Sequence, residues 1–339
     1  VVPALAVADA LRAESGARVV FIGGQRAEQD LVPAAGYELR TIAVEGLSRT
    51  NPLKAARGVA KAGAALVSAG RILRELRPDA VMGGGGYVAG PVGAAAVARR
   101  IPLVLTEADS HLGLTNRLLA RFARRVCLAF PIAGREEPRY RVTGRPVPPP
   151  VTDRAAARAQ FGLAEGEDCV LVFGGSLGAR SINDAAVEAL TGAEFRVLHA
   201  SGTRDYEDLR ERLGDPPPAN YALRPYISPF GAALAAADLC VARAGGSIFE
   251  VAAHGLPAIL VPYPRAAADH QTANARWMAD GGGAVVVRDE ELTPERLVGE
   301  IRALLGDRGR LAAMGRASAA LARPDAAREI AGQVLRAVA

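Results

Sequence analysis

Residues 242–275, ARAGGSIFEVAAHGLPAILVPYPRAAADHQTANA, hold the densest set of groups that could bind a small molecule. An apolar run ends in Gly245-Gly246-Ser247, a helical pattern begins at once, and Glu250 falls on its first turn. Free N–H groups at a helix start, with the helix dipole behind them, suit a phosphate or diphosphate. Glu250 reads two ways: as an acceptor for both hydroxyls of a ribose, or as a helix-start acid favoured only by the dipole. After the next apolar run come Asp269-His270-Gln271 and Asn274, with amides spaced to reach sugar hydroxyls.

Two further glycine loops follow short apolar runs. GGGGYVAGP (83–91) opens a helical pattern, and Gly84, Gly86 and Ala89 fit the dinucleotide fingerprint, with Glu107 about 20 residues on. A nicotinamide enzyme is therefore a rival reading, as is a plain tight turn. GGSLGARSIN (174–183) repeats the arrangement in the second half, with Ser176 after its paired glycines. A dehydrogenase needs one pyrophosphate loop, whereas an enzyme joining a nucleotide-sugar donor to a phosphorylated acceptor has use for one in each half. Near the first loop, Glu107 and His111 are the local candidates for moving a proton. His199 and His254 read as structural. No Asp-x-Asp pair occurs, so loop amides and helix starts, not a metal clamp, would carry the charge of a leaving diphosphate.

These groups hang on an alternation of strand and helix patterns. ARVVFIG (17–23), DAVMGGGG (79–86) and PLVLTE (102–107) read as buried parallel strands, and PVGAAAVARR (91–100) as a helix opened by its proline. The proline-rich VTGRPVPPPVTDR (142–154) reads as a linker, which divides the chain into domains 1–147 and 148–339. Beyond it DCVLVFGGS, FRVLHASG, DLCVARAGGS and PAILVPYP restart the alternation. The fold expected is α/β, with two Rossmann-like doubly wound domains. VVPALAVADALRAES opens the chain directly as a helix, so the first domain reads as lacking its opening strand and loop.

The chain has 339 residues, 50% hydrophobic and 23% charged, enough to bury two cores. Net charge +5 favours polyanionic partners without choosing among nucleic acid, anionic lipid and phosphorylated substrate. Its two lysines fall in NPLKAARGVAKAGAALVSAGRILREL (51–76), where Lys54, Arg57 and Lys61 recur at helical spacing beside Leu66, Val67 and Leu73. Such a helix either lies on anionic lipid or is a solvated surface helix. Cys127, Cys169 and Cys240 sit in apolar segments and read as core residues of a protein in a reducing cytoplasm.

Taken in order, VVPALAVADAL, GLSRTNPLK, GGYVAGP, HLGLTN, GGSLGARSIN, GLPAILVPYP and DHQTANA resemble successive segments of the MurG family of UDP-N-acetylglucosamine transferases, across essentially the whole chain. The resemblance implies the two-Rossmann-domain architecture called GT-B. It implies an inverting, cofactor-free and metal-independent transfer of N-acetylglucosamine from UDP-N-acetylglucosamine to a lipid-linked muramyl-pentapeptide. The setting implied is the cytoplasmic face of the cell membrane, with no part for nucleic acid. For the donor it implies Glu250 on the ribose, Gly246 and Ser247 on the diphosphate, Gly175 and Ser176 on a phosphate, Ile227 on the uracil through its backbone, and Gln271 and Asn274 on the sugar. For the acceptor it implies Gly84, Gly85, Gly86 and Tyr87 with Asn116 nearby, and it favours the lipid-facing reading of Lys54, Arg57 and Lys61. Where the family pattern has His-Glu-Gln-Asn, this chain has Thr106-Glu107-Ala108-Asp109, and Pro148 stands at an arginine position. A UDP-N-acetylglucosamine epimerase and an inactive nucleotide-sugar-binding protein are the alternatives.

Overall fold

In a computed structural model, residues 1–25, 27–43, 52–175 and 178–338 of the chain are described, with 52–62 and 267 as backbone only. The chain forms two compact units, Val1–Val147 with Arg323–Ala339, and Pro148–Ala322.

In the first unit, β1 (Val20–Gly23) pairs with β2 (Glu38–Thr41), and a separate sheet runs β3 (Val81–Gly83), β4 (Leu103–Glu107), β5 (Arg125–Leu128), β6 (Tyr140–Val142). Every pairing is parallel. Parallel strands need crossovers: the helix Glu28–Ala34 links β1 to β2, and the helix Gly86–Ala98 links β3 to β4, while the helix Pro52–Leu76 precedes β3. The helix Gly86–Ala98 begins at the glycine loop itself and carries Pro91 inside it, whereas the sequence placed its start at the proline.

The C-terminal helix Ala326–Val338 packs in the first unit, although the sequence boundary drew residues 323–339 into the second domain. Its Ile330 and Ala331 share a core with Val7 and Leu11 of the opening helix Val2–Ser15 and with Val104 and Cys127 of the sheet. Arg141 also binds Glu329 at 2.9 Å. An amphipathic terminal helix takes whichever apolar face is open to it, and sequence separation does not forbid the return.

The second unit is one parallel sheet of six strands, ordered β12 (Ala284–Val286), β11 (Ala258–Leu260), β10 (Leu239–Ala242), β7 (Cys169–Phe173), β8 (Arg196–Ala200), β9 (Tyr221–Arg224). Every residue of β7 and β10 is buried, as expected of strands covered by helices on both faces. Chain order reverses between β7 and β10, and open α/β sheets bind ligands beyond the carboxyl ends of strands at such a switch point.

The three cysteines lie buried in β5, β7 and β10, where burial pushes the Cys127 and Cys169 thiols up to about 12. They are inert core residues. Among the described residues, no helix is long and apolar enough to cross a membrane.

Candidate functional site

In the first unit the groups singled out from sequence meet beyond the carboxyl ends of β3 and β4. Gly85 adopts φ 78°, a left-handed value that lets β3 turn straight into its helix. A Cβ there would lie 3.4 Å from the Asn116 amide, so the loop and Asn116 are in contact. Thr115, beside it, donates to Gly86 O at 3.0 Å. Tyr87 stands at the surface, 36% exposed.

Glu107 ends β4 and is 8% exposed. Its Oε1 accepts from the backbone N–H of Ala108 (3.0 Å) and Asp109 (3.3 Å), and its Oε2 from Gly113 N (2.9 Å) and Asn116 Nδ2 (2.9 Å). A carboxylate offers about four lone-pair directions, and four donors fill them. Glu107 therefore shapes the loop 108–113, which carries His111, and has no lone pair left to receive a substrate proton. The same geometry removes it from the ribose-binding role that the dinucleotide fingerprint requires.

In the second unit the glycine loops after β7 and β10 lie side by side, because these two strands are hydrogen-bonded neighbours. Gly178 has φ 79°, and a Cβ there would collide with the Ser201 carbonyl, so the β7 loop packs backbone to backbone on the loop after β8. Gly175 also has positive φ. Ser176 lies outside the described residues.

The β10 loop is half-buried at Gly245, Gly246 and Ser247, and Ile248–Ala253 follows as a helix with half-buried Glu250 in its first turn. His254 closes that helix: one ring nitrogen contacts Glu250 O at 2.8 Å, and Nε2 accepts from Val151 N at 3.1 Å, which fixes the first nitrogen as the donor. Burial lowers the pKa of this ring.

Asn274, on the helix His270–Asp280, is 1% exposed and donates to Ala244 O at 3.1 Å. It holds the glycine loop in place, and its Oδ1 is buried with no hydrogen-bond partner among the described residues. Gln271 is half-buried and accepts from Tyr263 N at 3.0 Å, tying the helix to the β11 loop. Ile227 has a buried side chain, which leaves its backbone as the group for a base to use.

Sequence reading gave no role to Arg243, Ser181, Asn183 or Asp205. Arg243, 9% exposed at the end of β10, donates to Val261 O and Pro262 O (both 3.2 Å) and to Ser181 Oγ (2.8 Å), and pairs with Asp289. One guanidinium thus ties the β10 and β11 loops to the helix after β7. Its signal in the sequence was a lone charge following an apolar strand.

Lys54, Arg57 and Lys61 fall in the helix Pro52–Leu76, but their side chains lie outside the described residues. On the described part of that helix Leu66 and Val67 are 41% and 64% exposed. Leu114, Leu118 and Phe122, spaced by four, are exposed as well.

Residues 1–128 match the N-terminal domain of glycosyltransferase family 28, and residues 169–330 its C-terminal domain. A relative from Moorella thermoacetica, the UDP-N-acetylglucosamine–N-acetylmuramyl-(pentapeptide) pyrophosphoryl-undecaprenol N-acetylglucosamine transferase, is 43% identical over 100% of this chain and 96% of its own. The crystal structure of Acinetobacter baumannii MurG aligns with TM-score 0.77 at 32% identity, covering 98% of this chain and 95% of the other. A UDP-GlcNAc 2-epimerase from Neisseria meningitidis, solved with UDP-GlcNAc, aligns at TM-score 0.69 over 99% and 96% but at 13% identity, a likeness of fold.

Proposed function

The chain belongs to the MurG family within glycosyltransferase family 28, and from that premise we propose how its two units divide the work. The enzyme transfers N-acetylglucosamine from UDP-N-acetylglucosamine to the C4 hydroxyl of the muramic acid of a lipid-linked muramyl-pentapeptide, the step from lipid I to lipid II. The acceptor oxygen forms a bond to the anomeric carbon from the face opposite UDP, and its proton passes to a base. The bond from that carbon to the diphosphate breaks, and its electron pair leaves with UDP.

The second unit takes the donor. The observation that carries this assignment is the pair of adjacent glycine loops after β7 and β10 at the switch point, with Glu250 one turn beyond Ser247. Gly175, Ser176, Gly246 and Ser247 hold the diphosphate through N–H and hydroxyl donors, Glu250 accepts from the ribose, and the backbone at Ile227 meets the uracil. Gln271 faces the sugar, and Asn274 acts one step back by shaping the loop.

The first unit takes the acceptor through Gly84, Gly85, Gly86 and Tyr87, with Asn116 and Glu107 positioning that loop. His111, on the segment Glu107 grips, is the base this geometry leaves. The exposed apolar residues Leu66, Val67, Leu114, Leu118 and Phe122, together with Lys54, Arg57 and Lys61, dock this unit on the inner face of the membrane, where the acceptor is anchored.

Calorimetry with UDP tests the donor assignment. Glu250→Ala is expected to weaken UDP by about 1.5–3 kcal/mol, the worth of hydrogen bonds to a charged acceptor. Addition of a chelator is expected to leave the affinity of the unaltered chain unchanged. Equal affinity of Glu250→Ala and parent would take Glu250 out of the site.

A further inference from the structure

The loop after β8, Ser201-Gly202-Thr203-Arg204-Asp205, contains a carboxylate that is 0% exposed. Asp205 Oδ1 accepts from Arg180 and from Arg204 Nε, both at 2.8 Å, and Oδ2 accepts from Arg204 NH2 (2.8 Å) and Asn183 Nδ2 (3.0 Å). Asn183 donates also to Ser201 O at 2.9 Å, so its Oδ1 is free to accept from His199 Nε2 at 3.0 Å. Burial lowers the His199 pKa to about 3 and keeps the ring neutral, so Nδ1 must accept, and the Tyr221 hydroxyl donates to it at 2.8 Å. A buried anion and a buried polar chain cost stability unless every member is satisfied, and here the partners are complete.

The product of this chain is the placement of one cation. Arg204 gives its Nε and NH2 edge to Asp205, and its side chain is half exposed. Among the described residues its NH1 has no hydrogen-bond partner. Arg180 differs: its second nitrogen faces Asp208 at 3.8 Å. Ser201, three residues before Arg204, lies against Gly178 of the β7 loop, and β7 is hydrogen-bonded to β8 on one side and to β10 on the other. The loop that carries Arg204 therefore borders the β7 glycine loop.

We propose that Arg204 is the cationic contact of the donor diphosphate, and that Tyr221, His199, Asn183 and Asp205 form the buried chain that presents it. This rests on the donor site assigned to the second unit. When the anomeric carbon–oxygen bond breaks, the electron pair adds one negative charge to the diphosphate, and a guanidinium already fixed in place stabilises that charge without reorganising. Its planar fork can hold Asp205 on one edge and a phosphate oxygen on the other, which a lysine ammonium cannot do.

The test is calorimetry of UDP and of uridine on the full chain, the Arg204→Met variant and the Arg302→Met variant, which loses only an exposed pair with Glu194, with steady-state kinetics alongside. Arg204→Met is expected to weaken UDP about 10- to 100-fold, to leave uridine affinity unchanged and to lower kcat as well as raise KM, whereas Arg302→Met leaves UDP affinity unchanged. Arg204→Lys is expected not to restore the affinity. Unchanged UDP affinity in Arg204→Met, with Glu250→Ala still weakened, would overturn this assignment and spare the donor site. Equal losses for UDP and uridine would reduce Arg204 to a structural partner of Asp205, and an equal loss in Arg302→Met would reduce it to one part of the general positive charge. Absence of UDP binding by the unaltered chain would remove the donor site with it.

Discussion

Asn116 and Glu107 hold one another: the Asn116 amide donates to Glu107 Oε2 and to Thr106 O, both at 2.9 Å, and joins three backbone donors on that carboxylate. A single buried pair thus fixes both the loop bearing His111 and the helix start that touches Gly85 and Gly86.

Replacing Glu107 by Gln puts an amide donor where N–H groups already point. The unmade hydrogen bonds should cost about 1–3 kcal/mol of folding stability and raise KM for the acceptor. On the proposed roles, His111→Ala should lower kcat about 10²–10⁴-fold, whereas Glu107→Gln should act chiefly on KM. Steady-state kinetics on the two variants decides this, and the larger loss of kcat in Glu107→Gln would reverse the roles.

His199 sets an acid sensitivity. An unfolded histidine binds a proton near pH 6.5, whereas in the folded chain burial lowers the pKa to about 3. Between these values the unfolded state holds one more proton, so stability is full above about pH 6.5 and falls as pH drops, by up to ~1.4 kcal/mol per pH unit. Urea melts between pH 7 and pH 5 should show a shallower fall in His199→Gln than in the parent. His254, also lowered by burial, acts with the same sign in both proteins and cancels from the difference. Identical slopes would mean that His199 is protonated in the fold.

Membrane docking is expected to depend on charge and apolar surface together. Reversal of Lys54, Arg57 and Lys61 to glutamate should weaken binding to anionic vesicles, each basic residue near such a surface being worth about 1 kcal/mol. Leu118→Ser with Phe122→Ser should weaken it further without affecting UDP binding. Sedimentation with vesicles measures both, and equal pelleting of parent and variants would return these faces to ordinary solvated surface.

Much of the fold was legible where strands are buried on both faces: β7, β10 and β11 read as continuous apolar runs and end in the loops that carry the site. The strands β2, β5, β6, β9 and β12 escaped notice: β2, β6 and β9 mix polar with apolar residues at largely half-buried or exposed positions, whereas β5 and β12 are short apolar runs that end in no glycine loop. Glycine loops, Glu250 and Glu107 were visible by type and spacing, because those features are local. The roles of Glu107, Asn274 and Arg243 were not, because they depend on partners 9, 30 and 46 positions away along the chain. The C-terminal helix joined the first unit through contacts with the opening helix that no local pattern encodes.

The most direct assay incubates the chain with labelled UDP-N-acetylglucosamine, with and without lipid-linked muramyl-pentapeptide. The prediction is acceptor-dependent appearance of label in the lipid product with equal release of UDP. Conversion of the labelled sugar without acceptor, or tight UDP binding with no transfer when acceptor is supplied, would contradict it.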